Sequence, residues 1–494
     1  MSSFLRDVHR VRSAAPFLAA SLCGALWLSA CAGPSGSTPA SGPTVSDASE
    51  PGPSASRRPP PEARPLHHTP TGLLPAAAPI STFGEDGERI DPIASLQGLL
   101  ESGEVVFSFD SVTGYLPSLL SALDIPVSSQ SLIFSRTSLQ TEWIAPWAPR
   151  AVYFNDDVYI GFVHNDLTPL LEIASIDPDD GAAFYILRNT ADMAPSFERE
   201  TRLCLGCHSS RDVTEGVPGV MVRSTLTDRM GRVIKTLSEG PTTDQTPWEE
   251  RLGGFYVTGT HGGAGHGGNV RATLESHEVD NGDTYLADFD LTTGGNVTTL
   301  SDRFDTSVYL SEHSDLVAIL VLTHQTRVHN LITWAAEESA EALRLQEATR
   351  VSRGIEIPES GMTATTEVRI EEAVDRLVRS MMFVREAPLP GPVAGTSNFA
   401  EEFSALGPYD SQGRTLREFD LNERLFRYPL SFLIYTEAFD ALPGPMKTQV
   451  YGRIEAVLTG RDGSGDFEHI DQSTRGAIRE ILIATKPDFA AFVR

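Results

Sequence analysis

Five consecutive residues carry the most specific chemistry in the chain: Cys204-Leu205-Gly206-Cys207-His208. Two thiols two residues apart, followed directly by an imidazole, form the attachment pattern of a c-type haem. Each thiol can add to one vinyl group, and the short gap sets both sulfurs on one side of a single turn. The next residue places an imidazole nitrogen under the iron as the proximal ligand. A zinc site is one alternative, but it needs two further ligands and no cysteine follows Cys207. A thioredoxin-like dithiol is another, but it belongs beside a βαβ pattern, whereas the flanks here read as β-hairpins and loop. A chance match is the third.

Residues 253–269, GGFYVTGTHGGAGHGGN, form the second notable stretch. A strand over 255–258 runs into a glycine-rich loop that holds His261 and His266. Glycines let backbone approach a flat cofactor closely. Either histidine can serve as a distal iron ligand or as a pocket acid/base, with Arg251 as a nearby charge. The plain alternative is a flexible loop with incidental histidines. The glycines do not open a helix in the pattern of a nucleotide-binding fingerprint. His324 falls on the apolar stripe of a predicted helix with Val317, Leu320, Val328 and Leu331, as a core histidine or a haem neighbour. His329 lies about 140° round that helix, so the two cannot share one metal. Met221 completes the set of distal candidates; Met381 and Met382 read as core filler.

The compartment must suit this chemistry. Arg6, Arg10 and Arg12 precede an apolar stretch over 14–27, the pattern of an export signal, and too short for a confident membrane span. Of four cysteines, Cys23 leaves with that signal, Cys204 and Cys207 belong to the motif, and Cys31 closes Leu28-Ser29-Ala30-Cys31. Haem is attached outside the cytosol, so the signal and the motif support each other. The net charge is −27; residues 1–30 hold three Arg and one Asp, a net +2, so their loss leaves −29. That charge excludes nucleic acid and basic-patch membrane adhesion. It either keeps the surface solvated or steers a basic redox partner.

Four segments follow. Residues 1–30 are the signal and 31–84 a Pro/Ser/Gly-rich tether that cannot bury a core. Residues 85–310 read as a β-hairpin-rich haem-bearing part and 311–494 as a mostly helical part packed on it, an α+β chain. Short helices are expected over 95–101 and 115–123 and a β-rich run over 131–136. Hairpins are expected over 151–163, 170–187 and 220–237. Helices follow over 314–340, where Ser314 can cap, and over 366–383, 425–438, 446–458 and 473–485. Asp177-Pro178-Asp179-Asp180-Gly181 and Asp462-Gly463-Ser464-Gly465-Asp466 read as turns, since neither has the ligand ladder of a calcium loop.

YFNDDVYIGFV, CLGCH, WEERLGGFYVTGTHG, HQTRVHNLIT and RLFRYPLSFLIYTEAFDALP resemble stretches of large, secreted, single-haem bacterial lipoproteins of the cytochrome c domain-containing kind. The likeness spans residues 110–490. It implies haem c on Cys204 and Cys207 with His208 as ligand. In the glycine-rich loop of such proteins a Met follows the second histidine; Gly267 stands there in this chain, so this loop offers no Met ligand. Bacterial di-haem peroxidases are set apart by their second C-x-x-C-H. The residues before Cys31 resemble a lipobox, which implies cleavage before it, lipidation of its sulfur and amino group, and stable anchoring. Ala32, not Asp, follows, which leans toward the outer membrane, facing the periplasm.

Three functions are open: electron transfer with one covalent haem, a haem peroxidase or oxygenase with an open distal site, and a binding or scaffold lipoprotein with a structural haem. The partner is accordingly a redox protein or a small-molecule oxidant. The length of the folded part favours an enzyme; electron transfer is the reading adopted.

Overall fold

A seven-stranded antiparallel sheet and one 38-residue helix laid across it organise the chain, an α+β fold. The computed structural model describes residues 90–165, 167–272, 290–359 and 361–494. The signal, Cys31 and the tether lie outside them. Helices α1 (Pro92–Ser102) and α2 (Leu116–Ala122) come first. Strands β1 (Ser131–Ile133), β2 (Arg150–Phe154), β3 (Val158–Phe162), β4 (Leu170–Asp177), β5 (Gly181–Arg188) and β6 (Phe197–Arg199) follow. Two one-turn helices, α3 (Leu205–His208) and α4 (Arg211–Thr214), precede β7 (Thr225–Thr227), β8 (Val233–Thr236) and β9 (Phe255–Tyr256). The helical part holds α5 (Leu316–Arg353), α6 (Ala364–Met381), α7 (Phe399–Ala405), α8 (Glu437–Asp440), α9 (Gly444–Leu458), α10 (Gln472–Thr485) and α11 (Pro487–Phe492).

The sheet runs β6-β5-β4-β3-β2-β1-β9, with β7 and β8 as a separate ribbon. Alternation along the strands builds two cores, as the period of two requires. Leu132, Tyr153, Ile160, Ile173 and Tyr185 face α1 and α2. Ile133, Phe154, Tyr159, Ala174 and Phe184 face the other way and share one core with the helical part. The two predicted parts therefore meet across this sheet face. Among the described residues no helix is long and apolar enough to cross a membrane.

Helix α5 crosses the strands. Its first turn is tied to the chain just beyond β9, where Leu316 N–H donates to the Thr258 carbonyl at 2.9 Å. Farther along, Thr333 lies against Gly181 at the start of β5. Five strand spacings separate β9 from β5, roughly 24 Å. Leu316 to Thr333 covers about 26 Å of helix. The match of the two lengths sets α5 across the sheet's width, and it explains burial all round from Leu316 to Ile332 except at Arg327.

The predicted elements hold for both early helices, the hairpins of β2–β3 and β4–β5, α6, α9 and α10. Four readings are corrected. Asp315, not Ser314, caps α5: its carboxylate accepts from Val317 N at 2.8 Å and Ala318 N at 3.2 Å. Ser314 instead donates to the Tyr256 carbonyl at 2.6 Å and accepts from Leu132 N. Helix α5 runs on to Arg353, because residues 335–353 are good helix formers and the first glycine comes at Gly354, in a left-handed cap. Residues 425–438 form no continuous helix: Pro429 supplies no N–H and forces Tyr428 out of helical geometry, leaving a 3-10 turn over Phe432–Tyr435 and the one-turn α8. Only Thr225–Thr227 and Val233–Thr236 of the 220–237 hairpin pair as strands.

Asp315 is buried, and its second oxygen accepts from Thr396 N, Ser397 N and Ser397 Oγ at 2.8–2.9 Å. Gly395 is required beside it, since a Cβ there would stand 2.2 Å from that oxygen. Asp315→Ala removes a cap and orphans several buried donors, and is expected to cost roughly 3 kcal/mol. Asp315→Asn keeps one acceptor oxygen and is expected to cost less. Urea unfolding midpoints of the two variants check the order.

Candidate haem-attachment site

The motif lies on a single turn between β6 and the β7–β8 ribbon. The Cys207 and His208 amides donate back to the Cys204 carbonyl at 3.1 and 2.9 Å, winding both thiols and the imidazole onto one coil. Upstream, the Glu200 carboxylate accepts from Arg202 N and Leu203 N at 2.8 and 2.9 Å, which turns the chain into the motif. Cys204 is half-buried, Cys207 is exposed, and both thiols are free. Leu203, immediately before them, is also exposed.

His208 is fixed by main chain. Its Nδ1 is 2.9 Å from the Gly219 carbonyl, and Gly219 N–H donates to the His208 carbonyl at 2.8 Å. A carbonyl cannot donate, so Nδ1 carries the proton and Nε2 keeps the lone pair, the tautomer of a metal-ligating imidazole with its supporting acceptor in place. Burial holds the His208 pKa below its ordinary value, which keeps the ring neutral. The ring packs on Phe184 of β5 at 4.9 Å.

The Gly219 carbonyl is itself held by α5. Asn330 accepts from Val220 N at 3.0 Å and donates to the Val220 carbonyl at 2.8 Å. Gly219 has no room for a side chain: a Cβ would stand 2.2 Å from Asn330 Oδ1. On the other side, Ala182 N donates to the Pro218 carbonyl at 3.0 Å. Glu215, at the end of α4, pairs with Arg327 of α5 and Arg376 of α6. Burial alone would raise the Glu215 pKa, but the two arginines hold it below the usual carboxylate range. Residues 204–220 are thus pinned to the sheet and to α5 together.

The thiols do not suit the competing readings. Burial first, then the charges of Glu200 and Glu172, push the Cys204 thiol up to about 11. A dithiol redox site needs the opposite shift, usually at the start of a long helix. Among the described residues no group of three or more His, Cys, Asp or Glu is arranged to hold a metal ion, as structural zinc would require. A c-type haem, by contrast, needs two free thiols and one oriented, neutral imidazole, and these residues fit it.

The distal candidates do not converge on His208. His324 is fully buried on α5, with Nδ1 3.3 Å from Asp244 Oδ2 and Nε2 2.9 Å from Ser431 Oγ. Facing a carboxylate, Nδ1 donates; the Nε2 lone pair then accepts the Ser431 hydroxyl, which leaves none for iron. Its ring stacks on Phe383 at 4.0 Å. His261 and His266 do come together, 4.8 Å between ring centroids, both against Trp248. They sit by the first turn of α5, however. Gly259, two residues before His261, packs on Leu316, whereas Gly219 packs on Asn330, 14 residues or about 21 Å along the helix. Axial nitrogens on the two faces of one iron lie only about 4 Å apart, from metal–nitrogen bonds near 2 Å. Arg251 is buried and committed, donating to the Thr246 carbonyl at 2.6 Å and the Asp244 carbonyl at 2.5 Å. Met221 is half-exposed and two residues beyond Gly219, on the segment that runs beside His208.

Sequence reasoning missed Gly219 and Asn330. The signal for the first was Gly216-Val217-Pro218-Gly219, whose proline and glycine expose carbonyls in a loop close after the motif. Nothing in the sequence pairs Asn330 with it.

His266 is buried; burial and the neighbouring His261 push its pKa down to about 3, and its Nδ1 accepts from Gly268 N at 2.9 Å. The unfolded chain takes up that proton near 6.5 and the folded chain does not. Stability therefore falls as pH drops through that window, by up to about 1.4 kcal/mol per pH unit from this residue. His266→Asn, whose Oδ1 can replace Nδ1 as acceptor, is expected to flatten the loss; thermal melts across the same window measure it.

Compared with protein-family models, with curated proteins and with solved structures, the chain matches none of them.

Proposed function

We propose that this chain is an exported, lipid-anchored protein that carries one covalent haem c and transfers electrons. The observation that carries the reading is the His208–Gly219 bond. It commits Nδ1 to the main chain and offers Nε2 one residue beyond two free thiols on the same turn. When bound, the haem supplies a one-electron iron couple. Cys204 and Cys207 hold it, His208 ligates it, and Gly219 with Asn330 keeps the imidazole from turning. The exposure of Cys207 and Leu203 supports this reading, since electron transfer between proteins requires a group that a partner can approach. The acidic chain favours a basic partner. The signal before Cys31 supports anchoring by lipid at the periplasmic face of the outer membrane.

A second reading is a haem peroxidase or oxygenase with an open distal position. The occupied nitrogens of His324 and the placement of His261 and His266 by the first turn of α5 favour it, because they remove three histidines as sixth ligands.

Electronic and EPR spectra of the purified chain separate the two. Electron transfer predicts low-spin ferric iron indifferent to cyanide. High-spin wild-type iron that binds carbon monoxide or peroxide contradicts it and supports the enzyme.

A further inference from the structure

The turn between β2 and β3, the start of α7 and the middle of α5 enclose a cavity of about 340 Å³. Gln325, which lines it, is five residues before Asn330 on α5, about 140° round the helix from the residue that supports the haem motif. The walls are largely apolar, and Phe154, Phe399 and Phe403 are prominent among them. Its size is at the lower end for small-molecule sites.

Two features define the occupant. The first is an orphaned acceptor. Gln325 is fully buried, and its amide NH2 donates to the Asn155 carbonyl at 2.7 Å and to the Tyr159 hydroxyl at 2.9 Å. Those partners fix which end is oxygen, and Oε1 is left buried with no partner. A buried carbonyl oxygen without a donor is costly unless a ligand or water supplies one. The second feature is charge. Asp124, Asp156 and Glu402 all line the cavity. Among the described residues only Asp156 meets a cation, the buried Arg417, whose guanidinium lies over the Phe403 and Phe432 rings at 4.8 and 4.5 Å. Glu402 accepts one hydroxyl, from Ser128, at 2.5 Å.

We propose that this cavity binds a compact organic cation, an ammonium group on a small apolar or aromatic body. Gln325 Oε1 accepts from the ammonium, Glu402 and Asp124 supply the field that draws it in, and the phenylalanines pack the body. An anion of the same shape would face uncompensated carboxylates and an acceptor that cannot donate.

Isothermal titration of the full chain with phenethylamine, 2-phenylethanol and 3-phenylpropanoate tests this. The amine is expected to bind, the alcohol roughly tenfold more weakly, and the carboxylate not measurably, with amine affinity falling as salt rises. Glu402→Gln at the exposed rim is expected to weaken the amine roughly tenfold while leaving the alcohol unchanged. Gln325→Met, with folding checked by thermal melt, is expected to weaken amine and alcohol together. Equal binding of all three compounds would mean an unselective apolar hollow. No heat from the amine with folded protein would mean a water-filled one. Either result overturns the proposal.

Discussion

The passage of α5 across the sheet is the constraint on which the other features rest. A helix crossing the strands must present apolar side chains in every direction, because the sheet is beneath it and the later helices cover it. Its sequence from Leu316 to Ile332 does so, with polar residues admitted only where they have work in the packing. Thr323 returns its hydroxyl to the Ile319 carbonyl, His324 is held between Asp244 and Ser431, and His329 meets Tyr159. Thr323 satisfies itself within α5, whereas the two histidines tie the helix to the Asp244 loop, to Ser431 and to β3, so it cannot slide without breaking several buried bonds at once.

That fixed helix also holds the C-x-x-C-H turn in place. The motif itself is one turn on the surface, with too little buried area to hold a conformation by packing. Its order comes from a chain of contacts running inward: His208 to the Gly219 carbonyl, Val220 to Asn330, Glu215 to Arg327. All three inward contacts end on α5 or on residues fixed by it. The same helix spaces the candidate sites. It keeps the His261–His266 pair near its first turn and the C-x-x-C-H turn near its middle, and it carries Gln325 on a different side from Asn330.

Much of this was readable in the amino-acid order, and for physical reasons. The thiol spacing in C-x-x-C-H encodes its own geometry, so it survives without knowledge of the fold. The β2–β3 and β4–β5 hairpins were legible because alternating side chains and Asn- or Asp-rich turns act locally. Residues 425–438 were misread because apolar periodicity outweighed Pro429, although a missing N–H and a restricted neighbour end a helix whatever its stripe. The N-cap slipped by one residue because Ser314 and Asp315 both have capping chemistry, and only the nearby Tyr256 carbonyl decides between them. The histidines were the hardest to read. His261, His266 and His324 have the right side chain for iron, but ligation depends on which nitrogens are already bonded and on distances across the sheet. Both are tertiary facts, as is the Asn330–Val220 clamp, which joins positions 110 residues apart.

The proposed function depends on a porphyrin joined to Cys204 and Cys207 by two thioether bonds. The most direct measurement is peptide mass spectrometry of the chain recovered from cells with working haem-attachment machinery. The account predicts that the peptide spanning residues 203–211 carries the mass of one haem and has no free thiol. The same peptide recovered bare, with both thiols open to alkylation, would contradict it.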